Sequence, residues 1–197
     1  FPGHGDCEVD SHLGLPIINY DLDRIHKIEM HPFIENINVP AIMSAHILFP
    51  AYDTVPATLS KKILTNVLRE ELGYKGLILT DCLEMKAIQN EFGTANGALK
   101  AVLAGADLCD ISHTLEFQLK ALSLLEEAVN DGRLPMEELD KKVERILKAK
   151  EKTLPHLEKY FYNQEMKFSE ENNKLAQEIV DNSLTMVKGN NVTLTPN

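Results

Sequence analysis

The sequence predicts an α/β protein in which short parallel strands alternate with helices. Apolar runs of strand length occur at 39–47, 76–80 and 106–111, and stretches with helical periodicity separate them. Strands that alternate with helices pair in parallel through right-handed crossovers. Because the strands are apolar throughout, we expect both faces of the sheet to be covered.

Turn and periodicity signals place the remaining elements. Residues 1–20 are rich in Gly, Pro, Asp and His, which predicts a loop. Pro32 falls within a helical pattern and predicts a kink or break there. Gly73 follows another helical stripe as a candidate C-cap. The predicted helices cover 22–37, 59–72, 83–88, 99–103, 116–130 and 136–152.

The predicted organisation has three parts. Residues 1–152 form the α/β unit, 153–168 form a linker marked by Pro155, and 169–197 begin a further domain. Ser169 is suited to cap the helix of that last part, and the chain becomes strand-like at 183–188. A closed (β/α)8 barrel needs eight strands, so three visible strands indicate either half a barrel or a small open sheet. The chain opens in the middle of a motif, and we therefore expect a fragment or a processed piece.

Composition excludes several classes of protein. The net charge of -10 argues against nucleic acid or an anionic membrane as the main partner. The apolar runs fall short of the roughly 18 residues that a membrane-spanning helix needs. Three cysteines, at positions 7, 82 and 109, show no CxxC spacing, which argues against a disulfide framework or a zinc-thiolate site. The compartment stays open between the cytoplasm and a secreted or cell-wall location.

Four titratable residues are concentrated in the first loop: His4, Asp6, Asp10 and His12. They suit a solvated polar loop, a metal site or an acid/base pair, although their spacing matches no common zinc motif. Histidine exchanges protons near neutral pH, and a nearby carboxylate orients the ring and favours its protonated form. On an extended loop, side chains two residues apart point the same way, so contact between Asp10 and His12 is feasible.

Asp81 directly follows the second apolar run, where parallel sheets place their active sites. The simpler interpretation is that Asp81 caps the helix after it. The preceding strand also ends in polar residues, Ser44 and His46, which favours a functional site at this edge of the sheet. Glu84 is a competing carboxylate, but we expect it to lie within the helix.

Three segments of the chain resemble, in the same order, the signature blocks of family 3 glycoside hydrolases of the β-N-acetylhexosaminidase branch. They are FPGHGDCEVDSHLGLP at 1–16, IMSAHILFPAYDTVPATLS at 42–60 and LREELGYKGLILTDCLEMKAI at 68–88. The resemblance covers about 1–188. It implies the second half of a (β/α)8 barrel, with strands six to eight and the loop after strand five, followed by a linker and a helix.

The resemblance also implies an activity, which is retaining hydrolysis of terminal β-linked N-acetylglucosamine. Asp81 matches the family's nucleophile, His12 its general acid/base and Asp10 the partner of that histidine. His4 and His46 are weaker candidates for sugar binding, and a packing role competes for His46. The expected partner is an N-acetylglucosamine-containing saccharide. No metal or organic cofactor is implied.

Two departures from the family pattern leave alternatives open. Cys82 stands where many members carry a second acidic residue, and the family's upstream Lys-His pair and further sugar ligands are not in this chain. The same dyad also suits a phosphorylase, which passes the glycosyl group to phosphate. A half-barrel with exposed edges could instead be an inactive unit that pairs with its missing half or with itself. A metal-binding module on the first loop is the remaining alternative.

Overall fold

The computed structural model describes residues 1–161 and 169–183, and its centre is a three-stranded parallel sheet. Strands β1 (Ala41–Ser44), β2 (Leu77–Cys82) and β3 (Leu108–Asp110) lie in that order. β1 pairs with β2 in continuous register, from Ala41 beside Leu77 to Ser44 beside Thr80. The parallel α/β class predicted from the sequence is therefore confirmed.

Helices connect and follow the strands. The chain divides into two compact units, Phe1–Thr153 and Leu154–Asn197. The helical segments are α1 (Leu22–Arg24), a π-helical turn (Ile25–Glu29), α2 (His31–Glu35), a 3-10 turn (Ala57–Leu59), a π-helix (Lys62–Glu71), α3 (Lys86–Phe92), α4 (Thr94–Ala104), α5 (Leu115–Asn130), α6 (Met136–Phe161) and α7 (Glu170–Ser183). Among the described residues, no helix is both long and apolar enough to cross a membrane.

Two predicted elements differ in their bounds. The helix expected over 22–37, with a kink or break at Pro32, is divided into three segments, and Pro32 lies in the first turn of α2, where its missing N–H is tolerated. The stretch expected to be a linker at 153–168 is helical as far as Phe161, because α6 continues through Pro155, and its role as a linker stays a prediction. Glu, Lys and Leu, all strong helix formers, lie on both sides of that proline. Residues 162–168 and most of the strand-like stretch at 183–188 lie outside the described residues.

The hydrophobic core lies between the sheet and the helices that follow β1 and β2. The predicted stripe at 59–72 is confirmed in Ile63, Leu64 and Leu68, which are fully buried with Ile78 of β2. The other face of β1 is open, since Met43 is 46% exposed. The expectation that both faces of every strand are covered is therefore wrong for β1.

A buried ionic cluster closes the end of the sheet where the strands begin. The Asp107 carboxylate accepts hydrogen bonds from Arg69, from Arg145 at 2.7 and 2.9 Å, and from the Ile78 N–H at 2.9 Å. Lys142 donates to the Ala106 carbonyl at 2.9 Å. The cluster thus ties the π-helix and α6 to the starts of β2 and β3. Asp81 lies at the opposite end of β2.

An apolar cleft of about 730 Å³ lies among β3, α4, α5 and α6. Leu108, Leu122 and Val143 line it and remain substantially exposed. β1 and β3 each have one edge without a partner strand among the described residues. This agrees with the flank expected of a partial barrel, while self-association or pairing with a missing half stays a prediction.

Candidate active site

The first loop is fastened to the edge of the sheet where the strands end. The Ala45 N–H, just after β1, donates to the Phe1 carbonyl at 2.9 Å, and the Leu48 N–H donates to the Pro16 carbonyl at 2.9 Å. The Ala87 N–H, in α3, donates to the Ser11 carbonyl at 3.3 Å. Backbone hydrogen bonds therefore place the Asp10-Ser11-His12 segment beside the connections that leave β1 and β2.

Asp10 and His12 are brought together by a tight turn. Oδ1 of Asp10 lies 2.8 Å from Nδ1 of His12 and also accepts the His12 backbone N–H at 2.9 Å. The N–H groups of Leu13 and Gly14 donate to the Asp10 carbonyl at 2.9 and 3.1 Å. The predicted side-chain contact is present, but the extended loop expected to produce it is wrong, because an Asx-type turn does so.

The contact with Asp10 involves only one ring nitrogen of His12. Hydrogen bonds from the His12 backbone and ring lower the pKa of Asp10, which keeps the carboxylate ionised near neutral pH. An ionised carboxylate can only accept, so Nδ1 of His12 is the protonated nitrogen. Nε2 is the ring nitrogen that does not face Asp10, and the imidazole is exposed to solvent.

Neighbouring contacts hold the rest of the loop. Nε2 of His4 lies 3.1 Å from Oγ of buried Ser11. Oδ2 of Asp6 accepts from the Tyr20 hydroxyl at 2.8 Å and from Arg24 at 3.1 Å. These residues act as anchors of the loop. A sugar contact by His4 stays a prediction.

Asp81 lies near the end of β2 and is partly buried. Its Oδ1 accepts the Cys82 N–H at 2.7 Å. The interpretation of Asp81 as a helix cap is not supported, because α3 begins only at Lys86 and Met85 occupies the N-cap position. The side chain is thus presented at the strand-end edge of the sheet, the position that the sequence predicted.

His46 is buried beneath the end of β2. Its Nδ1 lies 2.8 Å from Oγ1 of Thr58 and its Nε2 lies 3.1 Å from the Cys82 carbonyl. Burial lowers the pKa of His46, against the opposing influence of Asp81, so the ring is neutral. Because a carbonyl only accepts, Nε2 donates to it.

Since both ring nitrogens of His46 are engaged, the arrangement favours the packing role over direct sugar contact. The residue ties the peptide that follows Asp81 to the 3-10 turn after β1. Sequence analysis did not single out Thr58. The sequence indicates Thr58 only as a hydroxyl residue within the family-like segment at 42–60. The structure shows that it is fully buried.

Glu84 does not lie in a helix as expected. It occupies the turn before α3 and accepts the backbone N–H groups of His113 at 2.7 Å and Thr114 at 3.1 Å. Hydrogen bonds from Thr114 and then His113 lower its pKa. Its carboxylate therefore joins the turn after β2 to the segment between β3 and α5. In the described part of the chain, His4, Asp6, Asp10 and His12 of the first loop do not form a group of three ligands close enough together to hold a metal ion.

A family model decides the affiliation. The model described as the N-terminal domain of glycosyl hydrolase family 3 matches residues 1–149. The chain belongs to glycosyl hydrolase family 3. The matched span includes the first loop, all three strands and the dyad, so the family resemblance read from the sequence blocks is confirmed.

This family 3 chain is similar in sequence to curated enzymes and in structure to solved ones. It is 35% identical over 177 residues to beta-hexosaminidase A of Pseudoalteromonas piscicida, covering 77% of this chain and 29% of that protein. It is similar to a family 3 beta-N-acetylglucosaminidase of Paenibacillus sp. str. FPU-7, with a TM-score of 0.75 and 47% identity over 77% of this chain and 30% of the other. It also resembles the beta-glucoside phosphorylase BglX, with a TM-score of 0.79 and 27% identity over 95% of this chain and 36% of that one.

The chain therefore spans less than a third of the curated relative it matches over 177 residues. The structural similarity is consistent with the expected second half of a (β/α)8 barrel, in which β1, β2 and β3 are the last three strands.

Proposed function

We propose that this chain supplies the catalytic groups of a retaining exo-β-N-acetylglucosaminidase. The observation that carries the proposal is the Asp10–His12 dyad, fastened through the Ser11 carbonyl to the helix that follows Asp81. The similarity to enzymes named beta-hexosaminidase and beta-N-acetylglucosaminidase supports the reaction class and the substrate. The partner is accordingly an oligosaccharide or glycoconjugate that ends in β-linked N-acetylglucosamine.

In the first step, a carboxylate oxygen of Asp81 attacks the anomeric carbon of the sugar. The bond from that carbon to the leaving oxygen breaks, and Nε2–H of protonated His12 supplies the proton that this oxygen needs. The product is a glycosyl ester on Asp81 and a neutral His12. Asp10 stabilises the imidazolium before the step and keeps the proton-bearing Nδ1 directed towards itself.

In the second step, neutral His12 removes a proton from water through Nε2, and the water oxygen attacks the anomeric carbon. The ester bond breaks, Asp81 is released as a carboxylate and His12 is again protonated. Two inversions give overall retention. His46 takes no part in proton transfer in this scheme; it positions the strand end that carries Asp81 through the Cys82 carbonyl.

A second candidate function is transfer of the glycosyl group to phosphate. The observation that supports it is the structural similarity to a beta-glucoside phosphorylase, with a TM-score of 0.79. A histidine acid/base carries no negative charge, so it repels an attacking phosphate less than a carboxylate would. The lower identity to that protein, 27% against 47% for the N-acetylglucosaminidase, favours hydrolysis.

Product analysis of the natural protein separates these functions. An aryl β-N-acetylglucosaminide is incubated with and without inorganic phosphate, and the sugar product is identified. Free N-acetylglucosamine of retained configuration, formed at the same rate in both samples, is expected. A sugar 1-phosphate that forms only in the presence of phosphate would establish the phosphorylase activity instead. No turnover in either sample would support the alternative of a catalytically inactive unit.

A further inference from the structure

A second cluster of functional groups lies beside the proposed site, at the end of β2 and on the connections that follow β2 and β3. Cys82, Glu84 and His113 offer a sulfur, a carboxylate oxygen and a ring nitrogen, all within 4.8 Å of one another. The Cys82 sulfur is 4.0 Å from Oε2 of Glu84. Among the side chains described, those of residues 1–155 and 169–183, it is the only such group of three.

We propose that Cys82, Glu84 and His113 form a binding site for Zn²⁺. Thiolate, imidazole and carboxylate are the ligands that zinc takes in proteins, and three protein ligands leave one position for water. Softness of the thiolate favours zinc over magnesium or calcium, which prefer oxygen ligands alone. The binding of zinc here needs none of the chemistry proposed for Asp81.

The geometry requires only a small adjustment. Zinc–ligand distances of about 2.0–2.3 Å place neighbouring tetrahedral ligands about 3.3–3.6 Å apart. The ligand atoms lie within 4.8 Å of one another, so each pair has to close by about 1.5 Å or less. His113 is exposed, so its ring is free to rotate towards the other two ligands.

Glu84 is already oriented for this purpose. The N–H groups of His113 and Thr114 each occupy one lone pair of its carboxylate, at 2.7 and 3.1 Å. Each oxygen retains a second lone pair for a metal ion. Hydrogen bonds of this kind, made by groups that do not themselves bind the metal, fix ligand orientation in established metal sites.

The other two cysteines are poorer ligands. Burial raises the pKa of the Cys109 thiol to about 12, and burial and then the charge of Asp6 raise that of Cys7. Both effects disfavour the thiolate that binds metal. Cys82 is the one thiol of the three that lies beside both a carboxylate and an imidazole in the described structure.

Bound zinc would join the end of β2 to the segment between β3 and α5. Glu84 already makes that connection through hydrogen bonds. The site was not evident from sequence spacing, because position 113 is about thirty residues from the other two ligands. Its function is to stabilise the strand-end edge of the sheet next to Asp81.

Cobalt substitution tests the site without reference to activity. The full chain is titrated with Co²⁺, and the thiolate-to-cobalt charge-transfer band in the near ultraviolet is recorded. The band is expected in the unaltered chain, in Cys7→Ser and in Cys109→Ser, and its absence is expected in Cys82→Ser. Competition with Zn²⁺ should abolish the band. No band in the unaltered chain, or a band lost with Cys7→Ser instead, would overturn the proposal.

His113→Ala provides a second test of the site. Because His113 is exposed, this variant should fold normally even if Cys82→Ser does not. It should weaken Zn²⁺ binding by about tenfold or more, whereas the matched surface variant His31→Ala should not. Zn²⁺ should raise the thermal midpoint of the unaltered chain but not of His113→Ala. Loss of binding in His12→Ala with binding intact in His113→Ala would place the metal on the first loop and refute the site.

Discussion

Nδ1 of His12 lies 2.8 Å from Oδ1 of Asp10, and that same oxygen also accepts the His12 backbone N–H at 2.9 Å. One carboxylate oxygen therefore fixes both the backbone turn and the ring orientation. The ring is solvent-exposed, so packing does not hold it in place. The dyad depends on this turn for its geometry, and several consequences can be measured.

Asp10→Asn should lower turnover by about 10- to 100-fold, a part of the 10²–10⁴-fold that general acid–base catalysis supplies. The imidazolium loses its negative partner, and so the loss should be greater for poor leaving groups, which need protonation. Turnover numbers across a series of aryl N-acetylglucosaminides provide the measurement. Glu8→Gln, which alters an exposed acid in the same loop, is the control and should behave as the unaltered protein. Equal losses for good and poor leaving groups would contradict the role given to Asp10.

The lowered pKa of Asp10 has a defined effect on stability. The folded carboxylate holds its proton less tightly than the unfolded one, whose pKa is about 3.9. The contribution of Asp10 to the free energy of unfolding is therefore present above about pH 4. It is lost as the pH falls through the lower pKa that Asp10 has in the folded protein. Urea unfolding between pH 3 and pH 6 should show a weaker pH dependence in Asp10→Asn. An unchanged or steeper dependence would argue against the hydrogen bonds as the cause.

His46 should make the protein acid-sensitive in a higher pH range. Its folded pKa is lowered by burial, so below the unfolded value of about 6.5 the unfolded chain takes up a proton that the folded one does not. The contribution of neutral His46 to the free energy of unfolding is present above a pH of about 6.5. It is lost as the pH falls towards the lower pKa that His46 has in the folded protein. The free energy of unfolding should fall less between pH 7 and pH 5 in His46→Gln than in the unaltered chain. Exposed His31→Gln serves as the control and should leave the slope unchanged.

Asp107→Ala should lower the free energy of unfolding by about 3–5 kcal/mol, because it leaves Arg69 and Arg145 as partly buried charges without their common partner. Urea denaturation at pH 7 measures the change. Asp131→Ala removes an exposed pair with Arg133 and should have little effect. A similar, small change in both variants would show that the Asp107 cluster contributes little to stability.

The parts of this architecture that local pattern determines were predictable from sequence. The apolar runs gave the three strands, because buried parallel strands leave little room for polar residues. The position of Asp81 near the end of β2 follows from the same run. The contact between Asp10 and His12 was also foreseen, although for the wrong backbone reason, since turn chemistry and not extension brings them together.

What the sequence did not predict depends on contacts between distant positions. His46 owes its neutral state and orientation to Thr58 and to the Cys82 carbonyl, which are 12 and 36 residues away. Glu84 was expected in a helix, yet it binds backbone N–H groups about thirty residues later. The extension of α6 past Pro155 shows, in turn, that one proline does not end a helix whose neighbours favour it.

The central claim concerns the two catalytic roles, and His12→Ala in the natural protein tests them most directly. Asp81→Ala should abolish turnover. His12→Ala should still react with an aryl N-acetylglucosaminide that has a good leaving group, but should fail to activate water for the second step. The glycosyl-enzyme should then accumulate, and mass spectrometry of its peptides should place the sugar on Asp81. A sugar on another residue, or natural-substrate hydrolysis undiminished in His12→Ala, would contradict the account.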